Sequence, residues 1–446
     1  MVASHVERSL LRSPRLSRWF VTVLPLVAAA APVAHGEDEL GFRFHGYLRS
    51  GFGVAGTGDP QEAFKAPNAA AKYRLGNETE TYLETTFAYG VRPEDDAQAL
   101  FDTKITVSYV TPTSNTNTFD TTTALREAFV LAKGVWKAQE GATFWAGQRF
   151  FDRHDLHMSD FFYRDLSGFG GGLEGVRLGE NVRFGVAWLG GSVNELNSNG
   201  TVPPPGSFQL SKNTFDFRLY DLPLLGGKAA LSFDVAAFNG DTLSFAEGDL
   251  PVHDNTGWAA AAVHERPFAT GRNKLSVQYG KGVAFDFRAV LTPIPGRTYG
   301  TGDAVDYGDV WQLRVVEDLL VDKLGPFTLQ LGGVWQELGN GAAVGDRITW
   351  LSFGARPAYH FNRYFSVELE AGWDHTKHTD LVSGSLFKVT LAPQITPKVA
   401  ALSRPSLRSY VTWARWSDGF VGLVAPLVYG SEQRGFAAGV QLETWW

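Results

Sequence analysis

Between positions 144 and 168 the chain gathers side chains that could do chemistry: Arg149, Asp152, Arg153, His154, Asp155, His157, Asp160, Phe161, Phe162, Tyr163, Arg164 and Asp165. His154, Asp155, His157 and Asp160 are of metal-ligand type. A metal site also needs its ligands held in place by supporting hydrogen bonds. No helix or paired strand is evident in the segment to supply them, so no metal is expected. No Ser-His-Asp order stands out either, and neither a catalytic role nor a cofactor is expected. The formal GxGxxG at 170–175 lacks the strand–helix setting of a dinucleotide cradle and is expected to be a flexible turn. So dense a mixture of charges and rings makes a poor lipid-facing strand. It reads as an exposed surface loop or as a loop turned into a pore.

Whatever positions this segment must come from its flanks, and there the sequence alternates. Leu231, Phe233, Val235 and Ala237 oppose Ser232, Asp234 and Ala236; Phe365, Val367, Leu369, Ala371 and Trp373 oppose Ser366, Glu368, Glu370 and Gly372. At the end of the chain Phe436, Ala438, Val440, Leu442, Thr444 and Trp446 oppose Ala437, Gly439, Gln441, Glu443 and Trp445. Strand side chains point alternately to two faces, so one face is apolar and the other mostly polar. In a membrane barrel the apolar face meets lipid and the polar face a wet lumen. Glu368 and Glu370 share one face; without partners they would be costly in a packed soluble core but cheap in water. That favours the barrel. No 3.6-residue period is sustained, so no long helix is expected. Breakers fall at Gly58-Asp59-Pro60, 197–206, Gly325-Pro326, Asn340-Gly341 and Ser383-Gly384, separating strands by alternately short and long gaps. The expected fold is all-β: one transmembrane antiparallel β-barrel over 37–446, in the large-pore class.

Residues 1–36 read as a cleaved export signal. Arg8, Arg12, Arg15 and Arg18 precede an apolar stretch from Trp19 to Ala31, and Ala34-His35-Gly36 is a suitable cleavage site. The chain has no cysteine, which removes disulfides and thiolate metal sites. Its 40 basic and 47 acidic residues are dispersed, giving a net charge of −7, and this argues against a nucleic-acid partner.

The stretches FHGYLRSG (44–51), KYRLGNETETYLE (72–84), FWAGQRFFDRHDLHMSDFFYRDLSG (144–168), NKLSVQYG (273–280) and ETWW (443–446) give the chain its likeness to a known family. Over nearly all of 44–446 it resembles the maltoporins, porins for maltodextrins, with a weaker likeness at 190–215 and 281–310. The resemblance implies 18 strands, a homotrimer in the lipid of a Gram-negative outer membrane, and a third loop folded inward as a constriction. It also implies passive passage of maltose, maltodextrins or related oligosaccharides. Sucrose or another short saccharide is the alternative substrate, and an outer-membrane barrel enzyme or receptor the alternative of a different class.

A sugar ring has weakly apolar C–H faces that stack on aromatic rings and a hydroxyl rim that wants donors and acceptors. A selective path therefore needs an aromatic strip flanked by fixed polar groups, binding weakly enough to release. Alternation places Tyr47, Arg49, Tyr82, Glu84 and Trp445 on the lumen side. By resemblance, Tyr47, Tyr82 and Trp445 are slide aromatics, with Phe119 reaching into a neighbouring subunit's pore. Arg49, Arg74, Glu84 and Arg126 match the polar tracks, and Arg153, Asp160 and Phe162 the constriction, where Phe162 replaces a tyrosine. Arg272 and Leu402 stand where the family has further slide aromatics.

Overall fold

The structure, a computed structural model, describes residues 40–111, 121–193, 210–245, 248–297, 299 and 303–446. Eighteen strands form its wall: β1 Gly41–Ala55, β2 Thr81–Val91, β3 Leu100–Thr111, β4 Thr122–Lys133, β5 Thr143–Arg149, β6 Gly168–Arg177, β7 Arg183–Val193, β8 Leu210–Leu224 and β9 Gly227–Phe238. The second half comprises β10 Asn255–Phe268, β11 Gly271–Lys281, β12 Trp311–Leu324, β13 Phe327–Gly339, β14 Arg347–His360, β15 Phe365–His378, β16 Val382–Ile395, β17 Ser406–Trp416 and β18 Arg434–Trp445. Each strand pairs antiparallel with the next, and β18 pairs with β1 from Tyr47↔Trp445 to Ala55↔Ala437, closing the barrel. Closure removes the sheet edges, the condition for a sheet to stand in lipid.

The two-residue period decides what faces out. Phe233 is 45% exposed and its neighbour Asp234 only 2%. A register slip of one residue would turn Asp234, Glu368, Glu370 and Asp374 to the outside, so the pattern fixes the pairing. Outside, aromatic residues form a girdle near the loop ends of the strands: Trp188 stacks on Phe215 with centroids 6.2 Å apart, Trp258 lies 5.4 Å from Tyr279, and Tyr279 lies 6.3 Å from Trp311. Phe42, Tyr89, Phe327, Tyr359 and Phe365 lie exposed near the opposite ends. Such belts mark the two membrane–water interfaces.

Connections are two residues long at 225–226, 269–270 and 325–326, whereas 56–80, 150–167 and 282–310 are long and begin on the other rim. Gly226 and Gly325 take positive φ, 76° and 62°, as such tight turns require. Two turn expectations fail. The glycines of 170–175 lie inside β6, where the missing Cβ atoms let β5 and β7 approach: a Cβ at Gly172 would fall 2.7 Å from both the Val186 carbonyl and the Trp145 indole. Ser383-Gly384 lies inside β16, with the Phe420 ring over Gly384. The 197–206 breaker and the signal at 1–36 lie outside the described residues.

Candidate lumen site

The barrel is not hollow. Segment 56–80 enters the lumen, and its Phe64, Ala66, Ala69, Ala71 and Tyr73 join Leu156, Met158, Phe161 and Trp350 in one buried apolar cluster. Room for it comes from a row of cross-strand glycines, Gly332↔Gly354↔Gly372 on β13, β14 and β15. A Cβ at Gly354 or Gly372 would fall on the Tyr73 ring, and one at Gly332 would meet Leu156 and Met158. Irregular backbone away from water must find partners. Here wall side chains supply them: Lys388 donates to the Leu75 carbonyl at 2.7 Å, Thr412 to that of Gly76 at 3.1 Å, and Glu370 accepts from Leu75 N–H at 3.2 Å.

The 150–167 segment folds inward as a small ribbon, His154–Leu156 against Phe161–Arg164, with Asp160 in the left-handed region at φ 53°. Arg164 anchors it. Asp216 on β8 and Asp234 on β9 are direct cross-strand partners, a like-charge pairing that is unfavourable alone. The Arg164 guanidinium bridges them at 2.9 and 2.7 Å and also pairs with Asp152. Arg218 joins Asp152 at 3.1 Å to Glu174 at 2.9 Å. Asp152 in turn holds His154 Nε2 at 3.1 Å, and among the described residues no group of three or more ligand-type residues is arranged for a metal.

On the neighbouring wall Trp445, Tyr47 and Tyr82 form a continuous strip across β18, β1 and β2. Tyr47 lies 6.5 Å from Trp445, stacked at 19°, and 6.0 Å from Tyr82. Tyr47 and Tyr82 are only 4% and 2% exposed, so side chains crowd the lumen beside them, while Trp445 is half-buried. Arg74 donates to the Tyr47 hydroxyl at 3.0 Å, which donates to Glu443 at 2.9 Å. Arg49 lies over the Tyr82 ring at 5.5 Å and binds Asp160 at 3.0 Å, joining the strip to the constriction. Burial pushes Glu80 up, but Arg49 and Lys72 outweigh it and hold its carboxyl at about 2. Burial, reinforced by Arg74, puts His157 well below the usual histidine range; the ring lies edge-on to Trp445 at 6.4 Å.

Most of these charges belong to one network. Arg49 pairs with Glu78, Glu80 and Asp160, and Arg74 with Glu78 and Glu443. Arg404 and Arg408 complete Glu443, and Arg408 reaches Glu368 at 3.6 Å. Arg356 and Lys388 hold Glu370. Six cations thus meet six carboxylates. Glu368 and Glu370 are tolerated by pairing beneath the packed segments, not by the wet wall that the sequence suggested; the barrel stands, for a different reason.

At the constriction Arg153 is wedged between two rings, 4.0 Å from the centre of Phe150 and 4.1 Å from that of Phe162. Arg126 also lies over the Phe150 ring, at 5.4 Å, and both guanidiniums act on Glu84. Atoms with no hydrogen bond among the described residues collect here: Arg49 Nε, Arg74 Nη1, Arg126 Nε, His157 Nε2 and Asp160 Oδ1. Sequence reasoning named His157 only as a metal-ligand type and missed Phe150, Arg404 and Glu443 as parts of this site; the last two are legible only once β18 and the 396–405 turn are known to meet. Arg272 stands on β11 paired with Asp318 at 3.2 Å, and Leu402 is half-buried in the 396–405 turn. Phe119 lies outside the described residues.

Comparison with known proteins agrees with this architecture. OmpF of Salmonella typhi, solved with daunomycin, is similar with a TM-score of 0.51 and 11% identity over 91% of this chain and 97% of that one. OccK9 of Pseudomonas aeruginosa gives a TM-score of 0.48 and 10% identity, covering 91% and 98%. At 11% identity the likeness to OmpF is one of fold. The LamB porin family model matches residues 42–446. Fold and match together are those of an outer-membrane porin, and the chain belongs to the LamB porin family, that of the maltoporins.

Proposed function

We propose that this porin passes saccharides by facilitated diffusion along Trp445, Tyr47 and Tyr82, with Arg49, Arg74, Glu84 and Arg126 as polar tracks and Phe162, Arg153 and Asp160 as the constriction. The observation that supports this best is the contiguous ring strip bordered by charges fixed in a network. The half-buried Trp445 ring offers a face to the sugar's C–H surface and the more deeply buried Tyr47 and Tyr82 continue it, while guanidinium and carboxylate groups exchange charge-assisted hydrogen bonds with its hydroxyl rim. Several weak, overlapping stations let the sugar step forward without being trapped. Maltose and maltodextrins are the substrates that fit the family. The Arg272–Asp318 pair and aliphatic Leu402 extend no aromatic surface, which favours short saccharides, sucrose included, over long ones. A homotrimer, with Phe119 reaching a neighbour's pore, and export by a signal at 1–36 belong to the same reading. The test is current through the purified protein in a planar bilayer while maltose, longer maltodextrins and sucrose are titrated. Saturable block that strengthens with chain length and then levels off early is expected. Full conductance without any block would sink the saccharide assignment.

A further inference from the structure

Two cations of the inward segment are left out of the charge network. Lys65 and Lys72 are half-buried, whereas Phe64, Ala66, Ala71 and Tyr73 beside them are packed down. Among the described residues neither makes an ion pair or hydrogen bond. The groups facing them are few. Asp374 on β15, its Oδ1 accepting from the Trp350 indole at 2.9 Å, acts on Lys65, as does Lys72 itself. Lys72 acts on Glu80 and Asp160, which Arg49 already pairs. The six cations and six carboxylates of the network balance, and Asp374 offsets one lysine, so one positive charge stands in surplus beside the constriction.

A bore walled by protein focuses such a surplus on whatever ion enters it. Screening at physiological salt acts over ~8 Å, so the effect is felt inside the bore and little outside it. Burial and the nearby Lys72 bring Lys65 down to about 8. It is therefore still mostly charged at neutral pH and loses its charge just above.

We propose that Lys65 and Lys72 form an anion-recruiting station at the constriction, so that the pore favours carboxylated saccharides and small anions over neutral or cationic solutes of equal size. The sugar part rests on the saccharide-porin reading; the ion part does not.

The experiment is reversal potential across a KCl gradient with the full-length purified protein, together with block by digalacturonate and by maltose. Chloride should be preferred at pH 6.5, and digalacturonate should bind more tightly than maltose. In a Lys65→Gln/Lys72→Gln channel the chloride preference and the digalacturonate advantage should both fall by about two- to threefold, with maltose block unchanged. The unaltered channel should lose part of its chloride preference at pH 9, an arm independent of how well the variant folds. Potassium preference in the unaltered channel, or ratios unmoved by both substitution and pH, would overturn the station. Chloride preference without maltose block would overturn the saccharide reading and leave the station standing.

Discussion

At the scale of single residues, the constriction turns on what covers a ring. Phe162 shares Arg153 with Phe150, each about 4 Å from the guanidinium, a placement that suits holding a donor as much as stacking. In a Phe162→Ala channel Arg153 loses one of its two rings. We expect single-channel conductance to rise and saccharide affinity to fall roughly fivefold, the scale of a partly desolvated cation–π contact of about 1 kcal/mol. Bilayer recordings with maltose titration decide it; unchanged conductance and block would take Phe162 off the path. Much at this scale is legible in the sequence. Strict alternation alone turns Tyr47, Arg49, Tyr82, Glu84 and Trp445 inward. Their partners are not legible, because Tyr47 meets Glu443 across 396 residues of chain and Arg49 meets Asp160 across 111.

Among the elements, the strands are readable and the inward segments only in part. Lipid demands an apolar residue at every second position, and that signal is local. Segment 56–80 announces nothing comparable. Its Tyr73 is buried because Gly354 and Gly372 on distant strands make room, and no periodicity records that. The glycines of 170–175 mislead for the same reason, since close strand approach and turn flexibility use the same residue. A Gly354→Leu substitution should evict Tyr73, costing about 1–3 kcal/mol as overpacking does. The readout is a lower thermal midpoint together with larger conductance; a midpoint and conductance both unchanged would mean that the glycine row positions nothing. Arg164 is the corresponding anchor for the constriction ribbon. Arg164→Met leaves Asp234 without a counter-charge and Asp216 with Arg218 alone, at 2.9 Å, a loss of about 3 kcal/mol. The ribbon should loosen, seen as noisier open-channel current. Adding Asp216→Asn and Asp234→Asn should quieten it again; if it does not, the ion cluster is not what holds the ribbon.

For the whole molecule, the wall and its filling come from different ends of the chain. Segment 56–80 follows directly on the first strand, yet it nests on β14, β15, β16 and β17. Tyr73 reaches Ser352 at a separation of 279 residues, and Leu75 is capped by Lys388 at 313. Contacts of such sequence separation form late, because a long loop must close before they reward it. The segment is thus made early and is expected to seat late, since its cradle does not exist until β14 to β17 have paired. The expected intermediate is an unfilled wall, wider inside than the finished channel. Such a wall would leak until Tyr73 settled onto its glycines.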